Sequence, residues 1–121
     1  MKLLVLILNK TNRLEDVLHK FNEIGIKGAT VIDSMGVGRT MADHIDSSNF
    51  AIIYSLRKMV DGGRPYNKTI LSVIENDLEQ AAFDGVNEVL GDLHQPGMGI
   101  MFTLPIDGVS GLPKTYYQEN E

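Results

Sequence analysis

One pattern occurs twice in this chain, and it leaves few folds open. Residues 3–8 (LLVLIL) form an unbroken apolar run, which predicts a strand buried on both faces. Asn12-Arg13-Leu14-Glu15 then opens a helix, with Asn12 placed to cap free backbone N–H groups and Glu15 completing a capping-box-like pair. Leu14, Val17, Leu18, Phe21 and Ile24 share one face at helical spacing, Gly25 ends the helix, and Ala29–Asp33 reads as a second strand. The pattern returns at residues 69–75 (TILSVIE), a strand followed by Asn76-Asp77-Leu78-Glu79, the same helix start. Leu78, Ala81, Ala82, Val86, Val89 and Leu90 make the second apolar face before Gly91 stops it. Pro96-Gly97 turns the chain into a last strand, Gly99–Leu104. The order is β-α-β, a long insert, then β-α-β. This predicts an α+β, ferredoxin-like βαββαβ fold: a four-stranded antiparallel sheet with both helices on one face.

Composition narrows the chemistry. At 121 residues the chain suits one domain, 1–121, with a core that needs no metal or disulfide staple. The absence of cysteine excludes a disulfide scaffold, a thiol nucleophile and a Cys-ligated zinc or iron–sulfur site. A net charge of −5 argues against nucleic-acid binding, which draws on surplus Lys and Arg. Leu3–Leu8 is too short to span a bilayer or to serve as a signal-peptide core, so a cytoplasmic protein is expected. Both faces of that strand are apolar, and helices cover only one of them. Burial of a large aliphatic side chain is worth roughly 1.5–3 kcal/mol, so self-association over the second face is expected. Only the polar end, residues 117–121, reads as frayed.

The charge is unevenly spread. Residues 39–68 hold five of the eleven Lys and Arg (Arg39, Arg57, Lys58, Arg64, Lys68) and three of the sixteen acids, a segment of +2 on a body of −7. Such a basic island suits a phosphate or carboxylate ligand or an acidic partner; a solvated loop accounts for it equally well. The insert, Thr40–Asn67, is too long for a plain connection, and its middle, Phe50–Leu56, is apolar enough to dock on something. Two glycine corners flank the strands: Met35-Gly36-Val37-Gly38-Arg39 and Pro96-Gly97-Met98-Gly99. Alternate glycines let backbone N–H groups approach an anion, and Arg39 adds a planar fork of donors. A turn or bulge is the commoner role of such a motif, and neither corner is a Walker loop or a dinucleotide fingerprint. No catalytic set emerges from His19, His44 and His94, and none has metal-ligand spacing. Asp77, Glu79, Asp84 and Glu88 read as a solvated helix face, and the six methionines as core filler.

Together these pieces resemble the P-II signal-transduction family of trimeric nitrogen-regulatory proteins, over nearly the whole chain outside the insert. The most specific stretch is Glu23-Ile24-Gly25-Ile26-Lys27-Gly28-Ala29-Thr30-Val31, running on to Gly36-Val37-Gly38-Arg39. It is similar to the family's approach to the base of its long T-loop, and Pro96–Gly99 is similar to its glycine-rich B-loop. The resemblance implies a homotrimer that binds ATP or ADP between subunits and docks on transporters, enzymes or regulators. It implies that Thr30 and Val73 hold the adenine, that Gly36, Val37, Gly38 and Arg39 form the loop base, and that Gly97, Met98 and Gly99 form the phosphate turn. The sequence departs from the family at Thr40, where glutamine is expected, and at Ile100, where lysine is expected. Gly111 and Pro113 stand where a pair of arginines is expected, and Tyr54 does not match the uridylylated tyrosine. The departures speak against 2-oxoglutarate sensing and uridylylation. They leave Arg39, Arg57, Lys58 and Arg64 as the charges available to phosphates, with ATP, ADP and AMP all candidates.

Three readings therefore stand: a nonenzymatic sensor of an adenine nucleotide, a ligand-free module docking on a membrane transporter, and a small ferredoxin-like enzyme. The last is disfavoured because an acylphosphatase-type anion loop needs arginine after the first strand, where Asn9-Lys10-Thr11-Asn12 stands.

Overall fold

The computed structural model describes residues 1–36, 66–95 and 97–113. Its elements are β1 (Lys2–Leu8), α1 (Leu14–Ile24), β2 (Thr30–Met35), β3 (Tyr66–Ile74), α2 (Glu79–Leu90) and β4 (Gly99–Pro105). The strands form one antiparallel sheet in the order β2-β3-β1-β4, the ferredoxin-like arrangement that the repeated pattern predicts. In the register, Leu4 lies opposite Ser72 and Thr103, and Leu6 opposite Ile70 and Met101. Alternation then sends Leu4, Leu6 and Leu8 to one side, where they are fully buried with Val17 and Phe21 of α1 and Ala82 and Val86 of α2. Leu3, Val5, Ile7, Leu71, Val73 and Phe102 point to the other side. There Ile100 (56% exposed), Phe102 (38%) and Leu104 (44%) remain open to solvent among the described residues.

Local details depart from the sequence expectation. Asn12 and Glu15 do not form a capping box: a 3-10 turn over Thr11–Arg13 precedes α1, and its cap carries no side-chain hydrogen bond. Asn12 therefore lies inside the turn rather than at the helix cap. The second Asn-x-Leu-Glu does the same, with a 3-10 turn over Asn76–Leu78. Both helix stops hold, Gly25 at φ 98° and Gly91 at φ 82°, where a β-carbon is unfavourable. Arg13 secures the helix pair, its guanidinium donating to the Val89 carbonyl at 2.9 Å near the end of α2. The two strands that flank the insert, β2 and β3, both run further toward it than the sequence suggests. β2 continues through Ser34 and Met35, and β3 begins at Tyr66, so Tyr66 and Asn67 are strand. Polar Ser34 and Asn67 hide this extension from a pattern search, because they pair with each other. Of the four methionines described, Met98 is buried and Met101 packs against the core, whereas Met1 and Met35 are half-buried and outside the core cluster, so core filling accounts for only two of them; Met41 and Met59 lie outside the described residues.

Glu79 corrects the solvated-face reading of α2. It is half-buried, accepts from Lys2 at 2.8 Å and from the Thr103 hydroxyl, and so ties α2 to both β1 and β4. The Lys2 hydrogen bond first, then that of Thr103, holds its carboxyl below the ordinary value of 4.5. A lowered carboxylate pKa stabilises the fold above the unfolded-state value, and the contribution is lost as pH falls through the folded one. Acid titration by circular dichroism should therefore show stability declining below about pH 4.5. Glu79→Gln, which keeps the shape without the charge, should make that decline shallower; an unchanged acid limb would contradict the assignment.

Candidate functional site

Two groups of sequence-predicted residues occupy different parts of the sheet. Thr30 and Val73 meet in a cleft of about 270 Å³ lined also by Leu3, Leu71, Lys27, Gly28 and Ala29. The register explains the meeting: Thr30 lies opposite Leu71 on β3, and Leu3 of β1 lies opposite Val73. Ser72, buried in this wall, donates to the Gly28 carbonyl at 2.5 Å and so fixes the chain's entry into β2. The far wall is Leu112 and Pro113, from the segment after β4. The sequence marks Pro113 only as a missing arginine; nothing in its pattern shows that this segment returns across the sheet to β3. The cleft is mainly apolar, with Thr30 and Lys27 among the polar residues that line it. Such a lining suits a flat, weakly polar ring better than a bare anion.

The glycine corners lie at the sheet's other end, where β1 finishes. Gly36 follows β2 on one edge of the sheet, and Gly97–Gly99 leads into β4 on the opposite edge. With strands spaced about 4.8 Å apart, three steps separate the edges by roughly 14 Å. Thr30 and Gly36 are six residues apart along β2, roughly 20 Å at strand rise. One chain thus assembles neither the two corners with each other nor the corners with the cleft. Gly97 has φ +82° and Gly99 φ +141°, both in the region glycine favours. At Gly99 the constraint is also steric, because a β-carbon there would collide with the Ile7 carbonyl oxygen. Gly99 has a structural reason to be glycine whether or not an anion binds beside it. The Asn9 N–H donates to the Met98 carbonyl at 3.2 Å and holds the corner to the end of β1. Val37, Gly38, Arg39, Thr40, Arg57, Lys58 and Arg64 lie outside the described residues, as do His44, the apolar stretch Phe50–Leu56, Pro96 and the tail 117–121.

The remaining histidines are surface groups. His19 is paired with Glu23 at 3.4 Å and His94 with Asp92 at 3.1 Å, both with their rings mostly in solvent. The His94 backbone N–H holds the Asp92 carboxyl below its ordinary value, the mark of a local turn. Among the described residues no three His, Asp or Glu side chains gather to hold a metal, and no helix is long and apolar enough to cross a membrane.

No protein-family model matches the sequence, and no curated protein matches it. The structure is similar to the crystal structure of Arabidopsis thaliana PII bound to citrate. The TM-score is 0.59 and the identity 19%, covering 87% of this chain and 76% of the other. The chain has the fold of a PII protein.

Proposed function

We propose that the chain is a nonenzymatic, cytoplasmic P-II-like regulator: a homotrimer that binds an adenine nucleotide between subunits and signals to a protein partner, a transporter or metabolic enzyme, through its long loop. The observation that carries this reading is the cleft shared by Thr30 and Val73, the two residues expected to hold the adenine. The separation of the corners within one chain supports a site built by two copies. Gly36 and Gly97–Gly99 stand at opposite edges of one sheet, so a site that uses both would draw them from two copies.

Isothermal titration with ATP, ADP and AMP tests the reading. Binding is expected, and Arg39→Ala should weaken it by about one to two decades, the effect of one charge-assisted hydrogen bond of roughly 1.5–3 kcal/mol. Ile100 supplies no charge to the outer phosphates, so discrimination between ATP and AMP should be small. Absence of binding by all three at millimolar concentration would leave the ligand-free docking module as the better reading.

A further inference from the structure

The end of the sheet carries a polar row that neither the core nor the cleft uses. Ser34 of β2 lies opposite Asn67 of β3; one step beyond the last paired residues of β1, Asn9 continues the same line, and Met98 follows on the β4 side. The row runs along the end of the sheet, from Ser34 in β2 and Asn67 in β3 to Asn9 and Met98, each one residue outside β1 and β4, so it ends near Gly36 on one side and Gly97 on the other. It is bonded along its length. The Ser34 hydroxyl donates to the Asn67 side-chain oxygen, and because that uses its only proton, the Thr69 hydroxyl at 2.7 Å donates to Ser34. The Asn67 amide donates to the Asn9 side-chain oxygen at 3.4 Å, and the Asn9 backbone N–H donates to the Met98 carbonyl at 3.2 Å. Asn67 is the middle of the row and only 6% exposed. A buried amide costs free energy unless its partners are kept, so each neighbour's position is tied to that of Asn67.

We propose that Asn67 is a positioning residue that couples the end of β2 at Ser34 to the Gly97–Gly99 turn of the same chain. A displacement of the β2 end at Ser34 shifts the Ser34–Asn67 bond. The asparagine then carries the shift through Asn9 to the Gly97–Gly99 turn, where the collision that bars a side chain at Gly99 leaves little slack. On the function proposed above, each chain lends its two corners to two different ligand sites. A ligand held at one corner would then alter the other corner's site through this row.

Amide hydrogen exchange on the full chain tests the coupling without any ligand. Ser34→Ala removes the hydroxyl that donates to Asn67 and accepts from Thr69, and should speed exchange of the Asn9 amide, one residue past β1, by about threefold to tenfold. The Leu6 amide, in the core of the same strand, should be unchanged. In an Asn67→Asp background, which keeps the acceptor for Ser34 but loses the donor to Asn9, adding Ser34→Ala should have no further effect at Asn9. An Asn9 rate that ignores Ser34→Ala, or one that rises only in step with Leu6, overturns the proposal. With ATP added, exchange at Ser34 should slow, and less so in Asn67→Asp. If ATP does not bind, the nucleotide reading fails while the Ser34–Asn9 response still decides the coupling.

Discussion

Gly99→Ala is expected to lower the melting temperature by roughly 10–20 °C, corresponding to about 3 kcal/mol for a domain of this size. Two penalties act together at this position. The backbone sits at φ +141°, which side-chain-bearing residues rarely adopt, and the added carbon meets the backbone of Ile7 rather than a flexible side chain. Backbone oxygens in a sheet cannot step aside without breaking ladder bonds, and Leu8, next to Ile7, is the strand partner of Gly99. Gly28→Ala is the contrasting case: a β-carbon there meets nothing within 4 Å, and the φ angle is ordinary, so the melting temperature should stay nearly fixed. Equal effects from the two substitutions in a thermal melt would contradict this account. The comparison also separates two explanations of the second Gly-x-Gly. An anion nest alone predicts that Gly99→Ala impairs binding and spares stability, whereas steric exclusion predicts the loss in the ligand-free protein.

The parts of the fold that the sequence reveals are those governed by period and punctuation. The apolar strand 3–8 and the helix faces that include Val17, Phe21, Ala82 and Val86 follow from spacing, though not which side of the strand, Leu4, Leu6 and Leu8, meets the helices; Gly25 and Gly91 end their helices as glycine punctuation predicts. What the sequence conceals depends on partners distant along the chain. Ser34 and Asn67 look like loop residues until β2 and β3 pair them. Glu79 looks solvated until Lys2 and Thr103 reach it from two strands. Asn12 looks like a cap because its neighbours fit a capping box, yet the chain enters α1 through a tighter turn. The cleft is legible only in half. Thr30 and Val73 come from the family resemblance, and Leu112 and Pro113 close the cleft by a return of the chain that no local pattern encodes.

The open face of the sheet makes the second large expectation: the unaltered chain should scatter light as the proposed trimer of about 40 kDa, and Phe102→Glu as monomers of 13.4 kDa, at micromolar concentration. Phe102 is in the middle of edge strand β4, 38% exposed, directly opposite Val5 of the central β1, which is 7% exposed. Leu3, Val5, Ile7, Leu71 and Val73 extend that face with no charged residue among them. Copies that each carry −5 repel one another, and a neutral apolar face is where that repulsion is most readily overcome. A carboxylate introduced there has no partner in the sequence of the face, and burying it unpaired costs about 3–5 kcal/mol. In a trimer the penalty recurs at each copy, so association should weaken by at least about a hundredfold at every subunit boundary. Helix content by circular dichroism should stay constant, because Phe102 contributes to the face opposite α1 and α2. Light scattering that finds the unaltered chain monomeric, or the Glu variant still trimeric, would show that the sheet meets water on this side and that Ile100, Phe102 and Leu104 serve a different partner.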